Sequence, residues 1–146
     1  MPAASSRSPH LTKATKAFVD AITAENNPPL YTLPPQAARR ILADAQAKPI
    51  KKLAMDMHDE DLPVGPTGKV PTRFIRPEGV GGKLPIVFYF HGGGWILGDK
   101  DTHDRLVREL AKGAKAAVVY PNYTPSPEAQ YPVPLEQAYA AMLYII

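Results

Sequence analysis

The sequence predicts an α/β fold with a mostly parallel sheet that opens with an antiparallel pair of strands. Apolar and polar residues alternate over 53–57, and a second strand-like run at 70–76 follows a Pro/Gly-rich turn, as in a hairpin. The continuous apolar run 86–90 is typical of a strand buried on both faces of a sheet. A helical pattern over 102–112 then leads to another apolar run at 116–120, which is the spacing of a right-handed crossover between parallel strands.

Three regions precede or contain this sheet. Residues 1–9 are rich in Ser, Ala and Pro, which predicts a disordered start. Residues 10–48 carry apolar side chains at helical spacing over 11–24 and again over 35–47, so we expect two amphipathic helices. Two asparagines and two prolines end the first helix, and a proline in the first turn suits the second. Residues 49–146 then hold the sheet and its helices.

The later elements are bounded by local signals. The helix over 102–112 follows Asp101, a suitable N-cap, and Gly113 is placed to end it. A last helix begins near Pro134, and its apolar face continues to Ile146 without a cap, a basic last turn or a polar tail. We therefore expect residues 49–146 to form the first half of a larger α/β core.

Composition excludes several classes of function. The chain has 17 Lys and Arg against 14 Asp and Glu, with the two signs interleaved, so no nucleic-acid partner is expected. The sequence contains no cysteine, which excludes disulfides and thiolate sites. No apolar run approaches the roughly 20 residues that a membrane-spanning helix needs, and the first ten residues lack the apolar segment of a secretory signal. We expect no stable membrane insertion and a cytoplasmic location.

The run His91-Gly92-Gly93-Gly94-Trp95 directly follows the predicted buried strand. Three glycines in succession weaken folding, so such a run indicates a backbone that must approach another group closely. Successive N–H groups without Cβ atoms between them can turn toward a developing negative charge. The motif therefore predicts an anion-stabilising loop.

Other interpretations of single residues are weaker. A phosphate loop does not fit, because the glycines and Lys100 lack the GxxxxGK spacing. His91 suits a structural hydrogen bond better than a catalytic base, whereas Trp95 is equally compatible with a substrate pocket and with the core. Ser126 lies between prolines, the other serines lie in the first nine residues, and no Gly-x-Ser-x-Gly motif occurs. We predict no catalytic nucleophile, no metal site and no cofactor in these residues.

From His91 to Leu110, and again from Val118 to Tyr139, the sequence resembles the hormone-sensitive-lipase-like group of α/β-hydrolase esterases. The HGGGW motif carries the first match. In the second region the family commonly shows Asp-Tyr-Arg-Leu-Ala-Pro-Glu and then Pro-x-Pro opening a helix. Here Asn122–Glu128 keeps the Tyr, Pro and Glu, and Pro132-Val133-Pro134 follows.

The resemblance implies a carboxylic-ester hydrolase that acts on a small-molecule ester through an acylated serine. It assigns the oxyanion hole to the N–H groups of Gly93 and Gly94, with support from His91, Gly92 and Trp95, and it makes the two N-terminal helices a cap. In family order the nucleophile elbow comes later, so this chain is expected to be incomplete and inactive alone. The alternative is a short hydrolase-like binding or regulatory module, or a fragment without function; the oligomeric state stays open.

Overall fold

The computed structural model describes residues 10–146, so the disordered start predicted for residues 1–9 lies outside the described residues. The chain forms two compact units, Met1–Pro34 and Pro35–Ile146. The first contains helix α1 (Lys13–Ala24) and a short 3₁₀ turn (Leu30–Thr32). Helix α1 begins two residues later than predicted, because Thr12 caps it by accepting the amide of Thr15 at 3.2 Å. The grouping of both N-terminal helices into one cap stays a prediction.

The second unit is built on a sheet whose described strands are β1 (Met55–Leu62), β2 (Val70–Pro77), β3 (Ile86–Phe88) and β4 (Ala117–Pro121). Their order is β1-β2-β4-β3. Strands β1 and β2 pair antiparallel, as do β2 and β4, whereas β3 and β4 are parallel. The predicted α/β class, hairpin and parallel crossover are confirmed, and the described part of the sheet is mixed.

Strand β3 departs from its prediction. The apolar run 86–90 was expected to be buried on both faces, but the strand ends at Phe88 and Ile86 is 45% exposed. Among the described strands β3 pairs with β4 alone, so its other edge has no neighbour. An edge position leaves apolar side chains accessible that a central strand would bury.

Helices cover both faces of this sheet. Helices α2 (Pro35–Gln46), α3 (Asp104–Ala114) and α4 (Val133–Ile145) belong to the second unit, and α2 begins on the predicted proline. Val107 of α3 packs with Ile75 in one core cluster, whereas Ala141 of α4 packs with Val70 in another. Because residues five positions apart on a strand point to opposite faces, α3 and α4 lie on opposite sides of β2. Among the described residues no helix is long and apolar enough to cross a membrane.

The predicted ends of α3 are each wrong by two residues. Asp101 does not cap the helix; instead Asp99 accepts the amides of Asp101 and Thr102 at 2.9 and 2.8 Å in the turn before it. Gly113 lies within the helix, which ends where Lys115 adopts φ +50°. The next amide, that of Ala116, donates back to the carbonyl of Ala111 at 3.1 Å. A lysine thus provides the left-handed C-terminal turn that glycine usually supplies.

The first residue of α3 is a buried carboxylate. Asp104 contacts Lys52 Nζ at 2.6 Å and Arg108 Nε at 2.8 Å. Burial alone would raise its pKa, but the two cations lower it further than burial raises it, so the pKa lies below its ordinary value. These two ion pairs fix the start of α3.

Candidate functional site

The glycine-rich segment forms the connection between β3 and α3, and its backbone conformation requires glycine at two positions. Gly93 has φ +129°, and a Cβ there would lie 2.0 Å from the carbonyl oxygen of Leu97. Gly98 has φ +88°, and a Cβ there would lie 2.8 Å from the carbonyl oxygen of Gly92 and 2.9 Å from His91 Nδ1. All three distances are shorter than an ordinary non-bonded contact, so the loop can adopt this conformation only with glycine at positions 93 and 98.

The consecutive amides of Gly93 and Gly94 have no acceptor among the residues that the structure describes. The carbonyl of Gly93 accepts the amide of Leu97 at 2.9 Å, which closes a tight turn. Within residues 10–146, the N–H groups of Gly93 and Gly94 donate to neither a carbonyl nor a side chain, and both residues are exposed. Unbonded successive N–H groups in a left-handed turn form a concave site that suits an anion. The arrangement can therefore stabilise negative charge at the surface of the loop.

His91 anchors the start of the loop. It is 5% exposed and stacks on Tyr123, with ring centroids 4.2 Å apart and planes 3° from parallel. The Tyr123 hydroxyl donates to the His91 carbonyl at 2.7 Å, and His91 Nδ1 lies 2.9 Å from the Gly92 carbonyl. Because a carbonyl only accepts, Nδ1 carries the hydrogen. Burial, assisted by nearby His103, lowers the pKa of His91, so the ring is neutral at neutral pH and holds the loop.

Tyr120 completes the stack beneath the loop. It is fully buried, and its ring lies 5.7 Å from that of His91 and 10° from parallel. Among the described residues its hydroxyl is a buried side-chain group without a hydrogen-bond partner. Burial raises the pKa of this phenol far above the physiological range, so it stays neutral.

Arg39 of α2 holds the far end of the loop. Its Nε donates to the Ile96 carbonyl at 2.8 Å, and its Nη2 donates to the Ser126 carbonyl at 2.7 Å. Both terminal nitrogens also reach the Glu128 carboxylate, each at 2.7 Å. Sequence patterns do not identify Arg39 as part of the site, because its partners lie 57 to 89 positions away and leave no local signal.

The proline-rich loop that carries Ser126 is itself fixed to α4. Gln137 is fully buried; its carbonyl oxygen accepts the amide of Thr124 at 2.8 Å, and its nitrogen donates to Thr67 Oγ1 at 2.8 Å. The Ser126 amide then donates to the Trp95 carbonyl at 2.7 Å. The loop is thus a rigid neighbour of the glycine turn. Sequence periodicity did not identify Gln137, which lies on the buried side of an otherwise apolar helix.

Cavities lie on both sides of the glycine loop. On one side, Trp95 is 49% exposed and forms part of an apolar cavity of about 460 Å³, so it lines a pocket and is not part of the core. The other residues around this cavity are Gly94, Ile96, Ser126, Tyr131, Pro134 and Leu135. On the other side a cavity of about 680 Å³ is bordered by Gly92 and Gly93 together with residues of α2 and α3. An apolar group can therefore lie directly beside the unbonded amides.

Two further histidines and Ser126 have structural contacts. His103 occupies the N-cap position of α3 and contributes no side-chain cap, and His58 on β1 stacks on Phe74 at 4.8 Å. The hydroxyl of Ser126 donates to the Ala129 carbonyl at 2.9 Å within a turn. Among the described residues, no group of three or more potential metal ligands is brought together.

Comparisons with known proteins identify the fold family. Residues 87–146 match the α/β-hydrolase fold family. Over 102 residues the chain is 41% identical to the carboxylic ester hydrolase LipN of Mycobacterium tuberculosis. The aligned region covers 70% of this chain and 27% of LipN. It is 38% identical over 113 residues to the esterase LipI of the same organism, covering 75% of this chain and 34% of LipI.

Solved structures extend the similarity to most of the chain. A thermostable esterase from Pseudomonas putida superposes with a TM-score of 0.90 at 40% identity, covering 94% of this chain and 43% of the esterase. An esterase from Rhizomucor miehei superposes with a TM-score of 0.82 at 30% identity, covering 94% of this chain and 43% of that protein. The chain thus spans about a third of the curated relatives that it matches and less than half of the solved ones.

Proposed function

The chain belongs to the hormone-sensitive-lipase-like α/β-hydrolases, and we propose that it contributes the oxyanion hole to the hydrolysis of carboxylic esters. One observation carries the proposal: the N–H groups of Gly93 and Gly94 are exposed, successive and unbonded among the described residues. They lie beside an apolar cavity that can take the hydrocarbon part of an ester.

The proposed chemistry needs negative charge to be stabilised only as it forms. When a serine oxygen attacks an ester carbonyl, the carbonyl oxygen becomes an oxyanion, and two aligned N–H groups donate to it more strongly than to the neutral ester. Collapse of the tetrahedral species expels the alcohol and leaves an acyl-serine, and water then repeats the sequence to release the acid. The loop needs no rearrangement in either step, because it is already fixed by its neighbours.

The serine, its histidine and its acid are not provided by these residues in any recognisable motif. The sequence contains no Gly-x-Ser-x-Gly, and Ser126 is engaged in a turn. We therefore expect the 146-residue polypeptide alone not to hydrolyse esters. The substrate is proposed to be a small-molecule ester, and a cytoplasmic location stays a prediction that cell fractionation can check.

A chimera tests the proposal. Residues 1–146 are joined to the part of the Pseudomonas putida esterase that follows the matched region, since the two chains superpose with a TM-score of 0.90. We expect the chimera to hydrolyse p-nitrophenyl butyrate and to be labelled by a fluorophosphonate, and replacement of its nucleophilic serine by alanine to abolish both.

The isolated 146-residue chain should not be labelled. A chimera that melts cooperatively as the parent esterase does, yet neither hydrolyses the ester nor reacts with the probe, would contradict the proposal and favour a non-catalytic module. Specific labelling of the isolated chain would contradict the view that its nucleophile lies elsewhere.

A further inference from the structure

Beyond the glycine motif itself, one side chain controls the far end of the loop. We propose that Arg39 is a positioning residue that keeps the amides of Gly93 and Gly94 in place by clamping residues 95–96 against the proline-rich loop. This inference rests on the proposed function for its catalytic meaning, but the clamp itself is a feature of the described contacts.

The contacts show why the loop needs a clamp. Trp95 has φ +63°, a conformation that side chains other than glycine rarely adopt and that persists only where the surroundings enforce it. The Trp95 carbonyl accepts the Ser126 amide at 2.7 Å, and the next carbonyl, that of Ile96, accepts Arg39 Nε at 2.8 Å. Arg39 also binds the Ser126 carbonyl at 2.7 Å, so it holds one partner of the contact that enforces the turn and the residue next to the other partner.

The guanidinium is suited to this task by shape. It presents five N–H donors in a rigid plane, and here four hydrogen bonds leave it toward three different groups. The bidentate contact with Glu128 fixes the plane, and lysine cannot reproduce it. Hydrogen bonds from Arg39 lower the pKa of Glu128 to about 2, so the clamp stays charged at every pH at which an esterase would be assayed.

The chain contains its own reporter of the clamp. Trp95 is the sole tryptophan, so tryptophan fluorescence, excited at a wavelength that the seven tyrosines do not absorb, comes from the loop. The sequence has ten glycines, so selective labelling with ¹⁵N-glycine gives a small set of amide signals that includes Gly93 and Gly94. Both readouts work on the full chain without any catalytic activity.

The test compares Arg39→Met with a matched variant, Arg108→Met. Arg108 also joins a carboxylate and a distant carbonyl, those of Asp104 and Leu53, each at 2.8 Å, but it does not contact the loop. We expect Arg39→Met to raise the acrylamide quenching constant of Trp95 by up to about twofold, the ratio of full exposure to its present 49%. The Gly93 and Gly94 signals should shift and exchange faster, whereas Arg108→Met should lower Tm without either change.

Arg39→Lys separates geometry from charge. It keeps the cation but loses the planar fork, and we expect it to release the loop as Arg39→Met does. Unchanged Trp95 quenching in Arg39→Met, or an equal change in Arg108→Met, would overturn the inference and leave Arg39 with a general stabilising role.

The same variants in the chimera distinguish this inference from the proposed function. With Arg39→Met, kcat should fall while KM stays near the parental value, because the displaced donors act in the transition state. If the chimera has no activity but Trp95 is released, the proposed function fails and the clamp stands. If the chimera is active and Arg39→Met changes neither kcat nor the loop signals, the clamp fails and the proposed function stands.

Discussion

Replacing Gly93 by alanine perturbs the candidate oxyanion hole at its most constrained point. The new Cβ would lie 2.0 Å from the Leu97 carbonyl oxygen and 2.6 Å from its carbonyl carbon. Both are backbone atoms, so no side-chain rotation relieves the clash. An ordinary contact begins at 3.4 Å, so one side of the loop must move by about 1.4 Å.

That displacement sets the size of the effect. A misplacement of about 1 Å can cost on the order of 10²-fold in rate, and loss of one oxyanion donor costs about 10²–10³-fold. We therefore expect kcat of the chimera to fall by about 10²–10³-fold, equivalent to about 3–4 kcal/mol of transition-state stabilisation, with little change in KM. Alanine at φ +129° should also lower stability by about 1–3 kcal/mol.

The assay is ester hydrolysis by the chimera, with a control that also has a positive φ but no clash. Gly68 in the β1–β2 turn has φ +70°, and a Cβ there meets nothing within 4 Å. Gly68→Ala should therefore cost stability while leaving kcat unchanged. A Gly93→Ala chimera that melts cooperatively and keeps the parental kcat would refute the assignment of this loop to the oxyanion.

Three further predictions concern stability and association. Tyr123→Phe removes the donor to the buried His91 carbonyl and should cost about 1–3 kcal/mol in urea unfolding; an unchanged midpoint would mean that water replaces the hydroxyl. The pKa of Asp104 is lower in the folded state than its ordinary value of 3.8. The ionised carboxylate therefore stabilises the fold at pH values above 3.8, and this stabilisation is lost as the pH falls through the folded-state pKa. Asp104→Asn should therefore lower Tm at neutral pH. The difference in Tm between the parent and Asp104→Asn should narrow in melts taken below the folded-state pKa, and a difference that does not change with pH would contradict the ion pairing. The open edge of β3 should make the isolated chain self-associate in sedimentation experiments. Ile86→Lys, at the exposed start of that edge, should weaken this self-association. A sharp, concentration-independent melt of the parent as a monomer would refute the prediction.

Elements that depend on neighbours in sequence could be predicted. The hairpin of β1 and β2 and the crossover from β3 through α3 to β4 are encoded by local periodicity and turn residues, and α2 starts on the predicted Pro35. What local patterns could not supply was the position of β4 between β2 and β3, because antiparallel pairing of β2 with β4 joins segments separated by two other elements. The exposed edge of β3 follows from that order and not from its apolar sequence.

Competing local partners account for the errors at α3. Asp101 has the right residue type for an N-cap, but Asp99 already binds the amides of the preceding turn, which delays the helix to Asp104. Gly113 is a plausible helix end by residue type, yet Lys115 accepts the left-handed conformation two residues later, in the register that buries Ala111. In both cases several residues could end the element, and packing selected among them.

The candidate site divides in the same way. The glycines of the loop are contiguous in sequence, so the motif can be recognised directly. The groups that orient the loop are distant in sequence: Tyr123 is 32 positions from His91, and Ser126, whose carbonyl accepts Arg39, is 87 positions from it. Family resemblance drew attention to the segment that contains Tyr123 and Glu128, but nothing in composition or spacing paired them with their partners. Contacts of this range are set by topology, which local periodicity does not encode.

The distribution of hydrogen bonds around the loop supports the proposed oxyanion hole. Four of its carbonyl oxygens have donors: that of Gly92 lies against His91 Nδ1, that of Gly93 accepts a loop amide, and those of Trp95 and Ile96 accept Ser126 and Arg39. With these four acceptors occupied, the amides of Gly93 and Gly94 stay unbonded among the described residues. A neutral ester oxygen satisfies such donors weakly and an oxyanion satisfies them strongly, so in the proposed function the loop would select the transition state over the ester. Arg39 contacts neither amide, and its proposed part in this mechanism is to hold the Ile96 carbonyl, and with it the turn that carries the two amides.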